Sequence, residues 1–101
     1  MLLRQAGCEI LARNYRCRMG ELDLVARRGR LLIIVEVRLR SSLRFGGAAA
    51  SITAAKRERI VRATRHLLAR RPGLRHLPVR FDAILMAATD GSIEWIEGAF
   101  P

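Results

Sequence analysis

The chain has 101 residues, and 19 lysines and arginines against nine acidic residues give it a formal net charge of +10. A chain of this length fits one domain, and a composition that is half hydrophobic excludes a disordered basic tail. We therefore expect a folded, basic, single domain over residues 1–101. Its positive charge favours nucleic acid as a partner, because neutralised phosphates release counterions.

The sequence carries no pattern of a membrane or export segment. Its longest wholly aliphatic run, residues 31–35, is far shorter than the roughly 20 apolar residues that cross a bilayer. The first residues lack the charged start and long apolar stretch of a secretion signal. We therefore expect a cytoplasmic protein with no membrane partner, in which Cys8 and Cys17 stay reduced.

The N-terminal part of the chain predicts a short helix followed by strands. Gly7 ends a short helical start, and residues 8–15 then suggest a first strand. Residues 21–25 alternate, which places Leu22 and Leu24 on one face of a second strand. The other three residues of that strand, two of them acidic, are expected on the opposite face.

A turn over residues 27–30, which contains Gly29, leads into a third predicted strand over residues 31–37. This strand is continuously aliphatic up to Glu36, as is typical of a strand covered on both faces. Because the connection is short, we expect the second and third strands to be antiparallel neighbours.

The C-terminal part predicts one long helix and two more strands. Residues 41–47 are polar and rich in glycine, which predicts a loop. Apolar residues recur at helical spacing over residues 53–71, until a Pro-Gly pair ends the helix. Residues 79–86 and 92–96 predict strands that are joined by an Asp-Gly hairpin turn. This order of elements predicts an α/β fold, with a mixed β-sheet flanked by helices.

Two carboxylates on adjacent predicted strands form the main candidate site. Glu36 ends an aliphatic strand, where an unpaired buried carboxylate is costly, so it needs a neutralising partner. The hairpin register places it opposite or diagonal to Asp23 on one sheet face. Two such carboxylates bind Mg²⁺ together with waters and a substrate phosphate. Arg38, two residues after Glu36, projects from the same face and adds a positive charge.

Several dispersed motifs resemble the YraN family of small bacterial proteins. They are Gly-Glu-Leu-Asp-Leu-Val at 20–25, Val-Glu-Val-Arg-Leu-Arg-Ser at 35–41, Phe-Gly at 45–46, Lys56, and Arg-Phe-Asp at 80–82. That family is regarded as a group of predicted endonucleases distantly similar to archaeal Holliday-junction resolvases. The resemblance implies a restriction-endonuclease-like core, in which Asp23 and Glu36 hold a catalytic Mg²⁺ or Mn²⁺ ion that activates a water.

The chain departs from the pattern of its relatives at two places. Arg38 occupies the position of the superfamily lysine, and it can stabilise charge on a phosphate but cannot lose a proton as a general base. Members of the family also begin with more N-terminal helix, which carries a Gly-Glu pair. The resemblance thus implies that this chain lacks the N-terminal part of the first helix, and Glu9 does not match the glutamate of that pair.

Basic residues near the acidic pair are candidates for contacts with DNA. Arg40, Arg44 and Lys56 are expected to bind the DNA backbone, Lys56 from the start of the long helix, where anions are favoured. Glu21 is a second-tier site candidate, because a carboxylate near the start of a strand is more often solvated. Two other interpretations stay open, namely an acidic pair neutralised by arginines without a metal, and Lys56 as a solvated helix lysine.

The sequence leaves three functions open. The leading one is a metal-dependent endonuclease that acts on DNA rather than RNA, with branched or damaged DNA as the candidate substrate. The alternatives are a non-catalytic nucleic-acid-binding module with a nuclease fold, and a protein-interaction domain whose arginines reflect genomic codon bias. By analogy with resolvases we expect a homodimer. Asp82 is expected to be structural rather than catalytic, in an ion pair with Arg80 or another nearby arginine.

Overall fold

A five-stranded sheet with one long helix packed on it makes up most of the described chain. The computed structural model describes residues 2–40, 52–88 and 90–100. A single 3₁₀ turn, Pro72–Leu74, follows the long helix. In chain order the helices and strands are α1 (Leu2–Gln5), β1 (Glu9–Cys17), β2 (Gly20–Arg28), β3 (Leu31–Arg40), α2 (Ala54–Arg70), β4 (Val79–Ala87) and β5 (Ile93–Phe100).

The sheet is mixed, with the strand order β1-β2-β3-β4-β5. The first three strands are antiparallel neighbours, β4 runs parallel to β3, and β5 is antiparallel to β4. A parallel pair needs a crossover connection, and α2 lies within that connection. The predicted α/β fold with a mixed sheet is therefore confirmed, and so is the antiparallel pairing of β2 with β3.

The strands are longer than the sequence pattern predicted. Residues 27–28, predicted as part of a turn, continue the ladder between β2 and β3. The turn is thereby reduced to residues 29–30, and Gly29 has a φ of +59°, which favours glycine. At the other end of the sheet, β5 continues to Phe100. The loop predicted over residues 41–47 lies outside the described residues.

Apolar side chains cover both faces of the sheet. The cluster under α2 joins Leu22, Val25, Leu32, Ile34, Ala83 and Leu85 of the sheet to Ile60, Ala63 and Leu67 of the helix. The cluster on the opposite face joins Leu3 of α1 to Leu24, Ala26, Ile33, Val35 and Ile84. β3 contributes to both clusters, and residues 32–35 are at most 2% exposed. This confirms the prediction that the strand is covered on both faces.

The alternation predicted for β2 is wrong at Asp23. Leu22 lies in the cluster under α2, whereas Leu24 lies in the cluster on the opposite face. Asn14, which lies between the two residues of β1 that pair with Leu24 and Leu22, has a φ of +50°. Asparagine tolerates this left-handed conformation better than most residues. The two-residue repeat of the strand pair is interrupted here, so Asp23 sits at a local irregularity.

The helix α2 confirms the predicted helix to within one residue at each end. Oγ1 of Thr53 caps it by accepting a hydrogen bond from the main-chain N–H of Lys56 at 3.2 Å. Ile60, Thr64 and Leu67 form its buried face. The cap and the buried face together hold the first turn of α2, and with it Lys56, against the sheet.

Both cysteines are free thiols. Cys8 is buried in the cluster beside α1, and Cys17 is half-buried at the end of β1. Within residues 2–40, 52–88 and 90–100, no helix is long and apolar enough to cross a membrane.

Candidate functional site

Asp23 lies where the hydrogen-bond ladder between β2 and β3 ends. Leu24 and Val35 form the last pair of that ladder, and continuing the register places Asp23 opposite Glu36. Oδ2 of Asp23 accepts a hydrogen bond from the main-chain N–H of Val37 at 2.8 Å. The backbone of β3 therefore holds the carboxylate of Asp23 at the end of the ladder.

Glu36 is a buried carboxylate on the face that α2 covers. It follows Ile34, a member of the cluster under α2, by two residues, so strand alternation directs it to the same face. Only 6% of Glu36 is exposed. Nζ of Lys56, in the first turn of α2, lies 3.2 Å from Oε1 of Glu36. Lys56 thus supplies the positive charge that a buried carboxylate requires.

The proton affinity of Glu36 is set by opposing influences. Burial of the carboxyl, and next the negative charge of Asp23, raise the pKa of Glu36 above its ordinary value. The hydrogen bond and the charge of Lys56, followed by the charge of Arg38, oppose that rise. The negative charge of Asp23 therefore disfavours ionisation of Glu36, and the two basic residues favour it.

The raised pKa of Glu36 gives stability an unusual dependence on pH. Between the ordinary glutamate pKa and the raised one, the folded protein holds a proton that the unfolded chain has lost, so the free energy of unfolding falls as the pH rises. As the pH rises above the ordinary glutamate pKa of 4.5 and through the raised pKa, we expect the native protein in a chelator to lose stability relative to Glu36→Gln. Urea denaturation of both proteins measures this difference.

The matched control for the pH measurement is Glu58→Gln, which alters an exposed glutamate of α2. Its stability relative to the native protein should change little over the same range, because exposed ion pairs contribute little. A difference between the native protein and Glu36→Gln that stays constant with pH would contradict the expectation.

The other predicted site residues differ in how the structure places them. Arg38 is half-buried on β3, and its charge acts on Glu36. The side chain of Glu21 is exposed, and its Oε2 lies 3.6 Å from Nε of Arg16. The side chain of Arg40, and Arg44 as a whole, lie outside the described residues.

The structure gives Lys56 a contact that the sequence did not predict. Its side chain is 29% exposed and is paired with Glu36, whereas the sequence suggested a phosphate ligand or a solvated lysine. The sequence held one sign that this position is special, since Lys56 is the single lysine among its 19 lysines and arginines. A compact ammonium approaches one carboxylate oxygen where the larger guanidinium fork favours two. The predicted contact of Lys56 with DNA stays a prediction.

The two carboxylates suit a hard divalent cation. Mg²⁺ and Mn²⁺ favour oxygen ligands, and Mg²⁺ is commonly held by one or two carboxylates, with waters and substrate phosphates as its other ligands. Among the residues that the structure describes, no group of three or more His, Cys, Asp or Glu side chains is arranged to hold a metal ion. Two carboxylates are ligands of the chemical type that such an ion accepts.

A cleft of about 440 Å³ opens beside Asp23. Its lining residues are Arg13, Asn14, Asp23, Leu24 and Val37. The volume falls within the roughly 300–1,000 Å³ of ordinary ligand sites, and the cleft connects Asp23 to solvent. A second cleft of about 460 Å³ lies along α2 and has no carboxylate in its lining, so it does not belong to the acidic pair.

Asp82 is a second buried carboxylate, and its contacts make it structural. Nε and Nη2 of Arg80 donate to it at 2.8 and 2.9 Å, which confirms the predicted ion pair. Nε1 of Trp95 and the main-chain N–H of Gly98 donate to it as well, each at 2.9 Å. The sequence did not predict these last two contacts, because both donors come from β5. Both carboxylate oxygens of Asp82 therefore accept hydrogen bonds from within the protein, two each.

Comparisons with known proteins reveal close relatives. The sequence model of a family described as "Uncharacterised protein family UPF0102" matches residues 1–86. A UPF0102 protein of Nitrosomonas europaea is 55% identical over 101 residues, which cover 99% of this chain and 84% of the relative. A UPF0102 protein of Methylobacillus flagellatus is 51% identical over 100 residues, 98% of this chain and 85% of the relative. One from Legionella pneumophila subsp. pneumophila is 41% identical over 98 residues, 97% and 83% of the two chains.

Proposed function

The chain belongs to the uncharacterised protein family UPF0102, and we propose that it is a metal-dependent endonuclease that hydrolyses phosphodiester bonds in DNA. YraN is the same family, so the resemblance inferred from the sequence motifs is confirmed. The observation that carries the proposal is the placement of Asp23 and Glu36 together at the end of the β2–β3 ladder. Two carboxylates with cations beside them suit phosphodiester hydrolysis assisted by a divalent ion.

The acidic pair, the backbone of Val37 and Arg38 have different roles in this proposal. A divalent ion held by Asp23 and Glu36 would activate a water and neutralise charge on the scissile phosphate. The N–H of Val37 orients the carboxylate of Asp23 by binding Oδ2. Arg38 stabilises charge on the phosphate, because its guanidinium stays protonated and cannot accept a proton.

The substrate class follows from charge. A formal net charge of +10 favours a polyanion, and we propose DNA, with branched or damaged DNA as the candidate structures. Arg40, Arg44 and Lys56 would contact its backbone. The cytoplasmic location and the homodimer stay predictions.

A second candidate function is a nucleic-acid-binding module that keeps this fold without the chemistry. The observation that favours it is the contact of Lys56 with Glu36, which already neutralises one of the two carboxylates. Such a module would bind DNA in a salt-sensitive manner with or without a divalent ion.

Incubation of the protein with duplex, single-stranded and four-way-junction DNA tests the proposal. We expect cleavage that requires Mn²⁺, stops on addition of a chelator and is lost in Asp23→Ala. Salt-sensitive binding without cleavage, unchanged in Asp23→Ala, would support the binding module instead. Failure to bind any of the three DNAs at low salt would reject both and favour a protein-interaction domain.

A further inference from the structure

The ammonium of Lys56 pairs with one of the two carboxylate oxygens of Glu36, a group that the proposed metal ion would also bind. Nζ of Lys56 lies 3.2 Å from Oε1, and the side chain of Glu36 is only 8% exposed. A buried carboxylate offers few directions of approach, so a divalent ion bound to the same oxygen and the ammonium would crowd each other. The first question about this site is therefore how the two cations share it.

In the metal-free protein, the charges of the two carboxylates are balanced by those of two basic residues. When both carboxylates are ionised, Asp23 and Glu36 bring two negative charges, and Lys56 and Arg38 bring two positive charges that both act on Glu36. The group is thus formally neutral before any metal ion binds. A divalent ion would add two positive charges beside an ammonium a few ångströms away, where repulsion is strong because the site is partly buried.

Of the two basic residues, Lys56 is the one able to move away. Its ammonium sits at the end of a flexible four-carbon stem, and its side chain keeps 29% of its surface exposed. Its backbone is fixed independently, because the main-chain N–H is bonded to Oγ1 of Thr53 in the cap of α2. The side chain can therefore leave Glu36 without disturbing the helix.

We propose that Lys56 is a displaceable counter-ion of Glu36, which neutralises the carboxylate in the metal-free protein and competes with a divalent ion for it. This inference rests on the proposed function, because it takes Asp23 and Glu36 as the metal ligands. Lys56 holds the acidic pair together when no metal ion is bound, and it lowers the affinity of the site for metal. Once displaced, its ammonium can contact a phosphate, which is the role predicted from the sequence.

Titration of the full chain with Mn²⁺ in the absence of DNA tests the proposal, with isothermal titration calorimetry as the readout. We expect Lys56→Gln, which removes the charge but keeps most of the length, to bind Mn²⁺ about tenfold more tightly than the native protein. Lys56→Arg keeps a cation at this position and should bind Mn²⁺ much as the native protein does. Far-UV circular dichroism of each variant verifies that it is folded.

Arg59→Gln is the matched control, since it removes one positive charge from an exposed position three residues further along α2. It should leave the affinity for Mn²⁺ nearly unchanged, and a gain equal to that of Lys56→Gln would overturn the proposal. Unchanged or weaker binding by Lys56→Gln, while the native protein binds Mn²⁺, would overturn the inference alone. If neither protein binds Mn²⁺, the proposed metal site fails and the inference fails with it.

Discussion

The Asp82→Ala variant is expected to be less stable than the native protein by about 3–5 kcal/mol, which is the usual cost of breaking a buried ion pair by removing one partner. Asp82 is completely buried and accepts four hydrogen bonds from Arg80, Trp95 and Gly98. Truncation leaves the half-buried guanidinium of Arg80 without this carboxylate. It also leaves two N–H groups of β5 without their acceptor, each at a cost of its own.

Urea denaturation followed by far-UV circular dichroism measures the effect of Asp82→Ala. The matched control is Glu97→Gln, because Oε2 of the exposed Glu97 lies 3.7 Å from Nη1 of the same arginine. This control should cost less than about 1 kcal/mol, as exposed ion pairs do. If Asp82→Ala were no more destabilising than Glu97→Gln, the buried contacts would not be what ties β5 to β4.

The second large effect concerns the proposed activity, because Asp23→Asn should lower the proposed metal-dependent DNA cleavage by about 100-fold or more. Loss of an outer-shell partner of a metal site already costs about 10–100-fold, so the loss of a charged ligand should cost more. The substitution separates two roles of Asp23, since the amide oxygen of asparagine can still accept the hydrogen bond from Val37. The fold should therefore be kept while cleavage falls.

Steady-state cleavage of a labelled DNA in Mn²⁺ measures the effect of Asp23→Asn. Glu21→Gln is the control on the same strand, and it should retain most of the activity because its carboxylate is exposed and lies beside Arg16. If Asp23→Asn cleaves DNA nearly as fast as the native protein, and Glu21→Gln is equally active, Asp23 is a structural residue and not a metal ligand.

The sequence predicts the frame of the sheet well because that frame depends on local patterns. The aliphatic run before Glu36 and the glycine turn at Gly29 are enough to define β3 and its antiparallel neighbour. The hairpin register predicts Glu36 opposite or diagonal to Asp23, and continuing the observed ladder from Leu24 and Val35 places the two residues opposite each other. Local periodicity fails between Leu22 and Leu24, where the neighbouring strand carries Asn14 in a left-handed conformation, a feature that the sequence of β2 alone does not contain.

Contacts made across the crossover could not be predicted in the same way. Lys56 contacts Glu36 because α2, in the connection between the parallel strands β3 and β4, packs over the sheet. No local pattern of residues predicts that contact. Trp95 and Gly98 reach Asp82 for a similar reason, since the β4–β5 hairpin brings them back to it. The ion pair of Asp82 with Arg80 was predictable because the two residues share one strand.

The bond between Trp95 and Asp82 gives the protein a built-in optical probe. Trp95 is the only tryptophan of the chain, and its indole N–H is bonded to the buried carboxylate at 2.9 Å. Its fluorescence emission therefore reports the docking of the β4–β5 hairpin. The acidic pair lies on other strands, β2 and β3. Stopped-flow fluorescence can time the arrival of β5 during refolding without any attached dye.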